Sequence, residues 1–203
     1  MLVGARTGAW SGGAKLPYKR RLAYLQGTGE QFIDANIVVV PSLLKMELRC
    51  SMVAKQAKLV GGRNGSSNDA TCAHILTSSG GIRVDWPASS GSTSLSLSET
   101  MNDIVVYGNN ISINGSLQTY SKQKSNLPQN YRFLIFDVDS GPSAYSRYNG
   151  MIEYVNLYED GENATRKMIP VMDLNNEPCF YDEISGELFY NMGTGNFLYG
   201  ELE

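Results

Sequence analysis

Tyr24-Leu25-Gln26-Gly27-Thr28-Gly29-Glu30-Gln31-Phe32-Ile33-Asp34, near the N-terminus, and Phe189-Tyr190-Asn191-Met192-Gly193-Thr194-Gly195-Asn196-Phe197, near the C-terminus, are built alike. Each sets aromatic or aliphatic residues against polar ones and breaks at Gly-Thr-Gly, the pattern of a short strand running into a tight turn. Two such segments at opposite ends of a chain predict terminal strands that pair or lie close and complete one β domain. Gly27, Gly29, Gly193 and Gly195 are expected to adopt turn conformations that a side chain would hinder. Asp34, Asp182 and Asn191 are expected to bond nearby backbone groups and not a ligand.

Between the two motifs the periodicity is that of strands. Leu44-Lys45-Met46-Glu47-Leu48-Arg49-Cys50-Ser51-Met52 alternates strictly, which predicts Leu44, Met46, Leu48, Cys50 and Met52 facing inward. Ala73–Thr77 and Ile82–Trp86 flank Gly80-Gly81 as a hairpin would, and Asp103–Tyr107, Ile111–Ile113 and the Asn114-Gly115 turn predict more antiparallel pairing. Tyr131–Val138, Met151–Tyr158 and Lys167–Met172 add further strands. No apolar set repeats at helical spacing over three turns; a helix is expected only as a single turn near Lys55 or Ser121. About ten to twelve strands without a helix predict an all-β, antiparallel two-sheet sandwich. Its expected limits are 21–203, preceded by a glycine-rich arm over 1–20.

Charge and cysteine usage narrow the function classes. The 203 residues carry a net charge of −3 and a pI near 5.3, which argues against a nucleic-acid binder. Arg6, Lys15, Lys19, Arg20 and Arg21 all precede the first acidic residue, Glu30, so a basic arm precedes an acidic body. Such an arm could attach the domain to an acidic partner surface, with Trp10, Lys15, Arg20 and Arg21 as the contact residues; the alternative is a disordered or loosely packed leader. Cys50, Cys72 and Cys179 are odd in number and widely spaced, against both a disulfide framework and a zinc site. Cys50, on the apolar side of its strand, reads as a small buried hydrophobe. The leader lacks the apolar stretch of a signal peptide, and no segment has the run of about 20 apolar residues that a membrane span needs. Synthesis in a cytoplasm without membrane insertion is the expectation.

The terminal motifs resemble those of LamG-like, concanavalin A-like jelly-roll domains of gut bacteria and their phages and prophages. The family opening, Tyr-Leu-Glu-Ser-Thr-Gly-Thr-Gln-Tyr-Ile-Asp-Thr-Gly, is matched by Tyr24, Leu25, Gly29, Gln31, Phe32, Ile33 and Asp34. Its close is matched by Gly150-Met151-Ile152, Leu157-Tyr158-Glu159-Asp160-Gly161, Arg166-Lys167-Met168-Ile169-Pro170 and Phe180-Tyr181-Asp182, then by the final motif. The resemblance covers roughly residues 22–200 and is dense at both ends. It implies a jelly-roll sandwich and a phage structural protein associated with the virion or tail. Other virion subunits or bacterial surface glycans would be its partners, and the leader would attach it to the particle.

Candidate chemistry is sparse. Glycoside hydrolases need two carboxylates across a cleft, roughly 5–10 Å apart; Glu153 and Asp137 are the candidates for that alternative, a glycoside-processing enzyme. Strand alternation puts Glu153 on the face of Val155 and Leu157, which is apolar. Asp137-Val138-Asp139-Ser140-Gly141 resembles part of a calcium loop, against which stands the plainer reading of an Asx turn ending a strand. His74 is the single histidine, so no histidine cluster exists. Tyr outnumbers Phe by 12 to 6, and Tyr107, Tyr120, Tyr145, Tyr148 and Tyr154 fall near turns or on polar faces. Trp86 with Asp85 and Arg83, and Tyr107, are the candidates for stacking on sugar rings and bonding their hydroxyls. A third possibility is a structural domain without a ligand that assembles as a homo-oligomer through sheet faces or edges.

Overall fold

The computed structural model describes residues 15–51, 57–63, 70–75, 82–86, 89–92, 95–98, 100–119, 128, 131–138 and 146–202. Among them every regular element is a strand. In chain order these are β1 (Tyr18–Gln26), β2 (Ile33–Asp34), β3 (Lys45–Ser51), β4 (Ala57–Arg63), β5 (Ala70–Ile75), β6 (Ile82–Trp86), β7 (Ser89–Ser92), β8 (Met101–Tyr107) and β9 (Asn110–Ile113). They continue as β10 (Ser116–Thr119), β11 (Leu134–Ile135), β12 (Ser146–Arg147), β13 (Met151–Tyr158), β14 (Arg166–Asp173), β15 (Pro178–Asp182), β16 (Leu188–Phe189) and β17 (Leu198–Glu201).

Two sheets form the sandwich. The larger runs β10-β9-β8-β3-β13-β1-β14-β15-β16, with β17 beside β1; the smaller runs β2-β11-β4-β5-β6-β7, with β12 beside β4. Pairing is antiparallel except for the two-residue parallel contact of β12 with β4. Alternation sorts the residues as the sequence predicts. Met46, Leu48 and Cys50 of β3 are buried against Ile104, Val155 and Leu157 of the same sheet and Leu59, Val84 and Ile135 of the opposite one. Leu44 is buried with them, whereas Met52, Lys55 and Ser121 lie outside the described residues. Burial pushes the Cys50 thiol up to about 12, so it behaves as an apolar group.

The terminal motifs interlock. β17 pairs with β1 from Leu22↔Glu201 to Gln26↔Leu198. Beyond the strands, the nearly inaccessible Gln31 amide joins the two Gly-Thr-Gly turns. Its Oε1 accepts from Thr28 N (2.7 Å) and Thr28 Oγ1 (3.1 Å), and its Nε2 donates to Thr194 O (3.1 Å) and Asn196 O (3.2 Å). A Cβ on Gly193 would sit 2.0 Å from Glu30 O, so only glycine permits the approach. Asn191 Oδ1 accepts from Phe32 N and Gly193 N, Asp34 Oδ1 from Asn36 N, and Asp182 from Lys167 N, Ile184 N and Ser185 N. These three motif residues bond backbone, as expected.

Three details depart from the alternation or boundaries expected of the sequence. Tyr18, Lys19 and Arg20, assigned to the arm, form the start of β1. In β13 the register against β3 shifts between Ile152↔Cys50 and Tyr154↔Arg49, so Glu153 is an extra residue. The bulge moves Glu153 from the expected apolar face to the outer one. Phe136, fully buried, has a φ of 68°, a conformation bulky residues rarely adopt. Its ring packs against Phe197 (4.8 Å between centroids) and Tyr148 (5.9 Å), joining both sheets to the C-terminal motif.

Candidate functional site

β8, β3 and β13 lie side by side, and their outward residues form rows across the sheet. Thr119, Asn110, Tyr107, Lys45 and Tyr158 are successive partners in one row. Leu117, Ser112, Val105, Glu47, Asn156 and Lys167 form the next. Asp103, Arg49 and Tyr154 form a third. Strand spacing of about 4.8 Å makes neighbours in a row touch, so the sheet face becomes a connected polar and aromatic surface.

Hydrogen bonds fix its side chains. Tyr158 OH donates to Glu47 Oε2 at 2.7 Å and Asn156 Nδ2 to the same oxygen at 3.3 Å, while Lys45 Nζ lies 2.6 Å from Glu47 Oε1. Lys45 also stands 4.5 Å from the centre of the Tyr158 ring. Tyr154 OH donates to Asp103 Oδ1 at 3.1 Å, and Arg49 Nη1 to Asp103 Oδ2 at 2.9 Å. Arg49 Nε is 2.7 Å from Glu153 Oε2, an ion pair without the alignment of a hydrogen bond. Burial, then hydrogen bonding to Glu47, pushes Tyr158 up to about 12; burial and Asp103 do the same for Tyr154. Burial also raises Glu47, but Lys45, Tyr158 and Asn156 outweigh it and hold the carboxyl below its ordinary value. The side chains remain accessible, from 24% for Glu47 to 47% for Asp103. Tyr107 lies over Gly161, where a Cβ would meet its ring at 2.7 Å.

The sequence candidates are distributed differently. Tyr107 ends β8 in the larger sheet, whereas Arg83, Asp85 and Trp86 belong to β6 in the smaller, so the four do not share a sheet. Asp137, buried beside β11, accepts from Arg147 Nε at 2.6 Å and from Val138 N at 2.7 Å, with Lys58 Nζ at 3.5 Å. Asp137 is thus paired with two cations of the protein. Asp139 and Trp10 lie outside the described residues, as do Tyr120 and Tyr145. Glu153 and Asp137 belong to separate ion pairs, Glu153 with Arg49 on the larger sheet and Asp137 with Arg147 beside the smaller. Lys15 is exposed. Arg20 and Arg21 instead lie in β1 and pair with Glu201 (2.7 Å) and Glu183.

Sequence reading found Tyr154 and Glu153 but missed Glu47, Arg49, Asp103, Asn156 and Tyr158 as a group. Alternation does mark them as outward; only register shows that they are neighbours. Among the described residues no group of three or more His, Cys, Asp or Glu could hold a metal, and no helix is long and apolar enough to cross a membrane. No protein-family model matches the chain, and no curated protein is significantly similar to it.

Proposed function

We propose that this chain is a non-enzymatic sandwich module of a phage or prophage particle that binds bacterial surface glycans through the outer face of its larger sheet. The observation that carries the proposal is the β8–β3–β13 surface, where Tyr158 and Tyr154 are oriented by Glu47 and Asp103 among half-exposed polar groups. Sugars need this combination of ring faces for C–H surfaces and fixed carboxylates and amides for hydroxyls. Because the partners are already hydrogen-bonded to one another, little side-chain freedom is lost on binding. The phage context is supported by the terminal motifs and the basic, glycine-rich leader.

A bacterial-polysaccharide array probed with the purified protein tests the proposal. Binding is expected, with a loss of at least about tenfold in Tyr158→Ala, or about 1.4 kcal/mol, in a variant whose cooperative melting shows that it is folded. Binding is expected to persist with a chelator, because Asp137 is matched by Arg147 and Lys58. Cleavage of a polysaccharide that disappears in Glu153→Gln would replace the proposal with a glycoside-processing enzyme. A blank array on folded protein would transfer the role to contact with a neighbouring virion subunit.

A further inference from the structure

Resting on that glycan-binding proposal, we infer that the β8–β3–β13 face takes a neutral glycan and discriminates against sugars bearing carboxylate, phosphate or sulfate. Strands β8, β3 and β13 carry three carboxylates, Glu47, Asp103 and Glu153, against two cations, Lys45 and Arg49. Both cations are engaged: Lys45 lies against Glu47 and the Tyr158 ring, and Arg49 bridges Asp103 and Glu153. An anionic sugar lying over these three strands therefore meets an excess negative charge, and neither of their cations is available without breaking an ion pair. Breaking one exchanges an existing ion pair for a new one, so an anionic group gains little from either cation while it meets the remaining carboxylates.

Neutral hydroxyls meet no such obstacle. An ionised carboxylate has about four acceptor positions, and Glu47 uses three, for Lys45, Tyr158 and Asn156. The Tyr158 and Tyr154 hydroxyls donate to carboxylates and keep oxygen lone pairs for a sugar O–H. Asn156 Oδ1 has no hydrogen bond among the described residues. Lys167, across from Asn156 on β14, is the neighbouring cation and makes no ion pair among the described residues. It is exposed, so water and salt screen its pull on an anion.

The test is an array carrying both neutral polysaccharides and ones containing uronate, sialate or phosphate, probed with wild type, Tyr158→Ala and the Asp103→Asn/Glu153→Gln double variant. Neutral glycans alone are expected to bind wild type, with loss in Tyr158→Ala. The double variant, which releases Arg49, is expected to gain acidic-glycan binding by about fivefold or more, and its melting curve checks that it folds. Acidic glycans bound by wild type and lost in Tyr158→Ala would overturn the charge selectivity while leaving the binding face intact. Acidic glycans bound equally by Tyr158→Ala would overturn both, since binding would then be elsewhere. An array blank for all three folded proteins would overturn the glycan proposal itself.

Discussion

Gly193 and the two face tyrosines show how single residues set limits on this fold. Gly193→Ala places a methyl group against the Glu30 carbonyl, which is backbone and cannot rotate aside. A loss of about 1–3 kcal/mol is expected from this overpacking, measurable by urea denaturation. Tyr154 and Tyr158 make a second prediction. Their hydroxyls are held protonated to about 12, against about 10 for a free tyrosine. The neutral form is thus favoured by the folded state. Its contribution to stability is full below pH 10 and declines as pH rises from about 10 towards 12. Absorbance titration of wild type against Tyr154→Phe and Tyr158→Phe should show each substitution removing one late-ionising tyrosine. Ordinary ionisation of both near pH 10 in folded protein would contradict the geometry of the site.

At the scale of elements, β17 carries the largest consequence for its size. It has four residues, of which Leu198, Tyr199 and Glu201 are exposed, yet it covers one edge of β1 from Leu22 to Gln26. Its value therefore lies in backbone pairing and in the position it gives Phe197, more than in its side chains. Glu201→Ala removes only the exposed pair with Arg20 and is expected to leave the urea midpoint almost unchanged. Truncation after Phe197 exposes the β1 edge and is expected to cost clearly more, with a lower urea midpoint and a greater tendency to associate. Equal effects of the two changes would show that β17 pairing contributes little. The β13 bulge acts at the same scale: one extra residue re-aims Glu153 toward Arg49 and so completes the charge network of the outer face.

For the whole molecule, one core between two sheets predicts one cooperative transition, and the Gln31 amide makes its two ends interdependent. Gln31→Ala removes four hydrogen bonds and leaves Thr194 O and Asn196 O to find other partners. A loss of about 1–3 kcal/mol is expected, seen as a lower melting temperature for near- and far-ultraviolet circular dichroism alike. Separation of the two signals would mean that the terminal interlock is a local unit and not part of the cooperative fold.

Much of this was legible in the order of residues. Period-two alternation depends only on neighbouring positions, so it marked the β class and the inward Leu44, Met46, Leu48 and Cys50, while the short polar side chains of Asp34, Asp182 and Asn191 beside turns marked their backbone-bonding role. The pairing of the two ends was also foreseeable, because matched strand-and-turn motifs there need partners. Three things required the tertiary structure. The β13 bulge reversed the parity at Glu153, since an inserted residue leaves no mark in composition. Arg20 and Arg21, expected to serve attachment, became paired once β1 brought them to Glu201 of β17 and Glu183 in the turn after β15. The candidate glycan face emerged only from lateral register, which brought Asp103, Arg49 and Tyr154 into one row although they are 51 and 54 residues apart along the chain for the pairs that bond. Local sequence determines which side of its strand a residue occupies; cross-strand register, set by the packing of the whole core, determines what stands beside it.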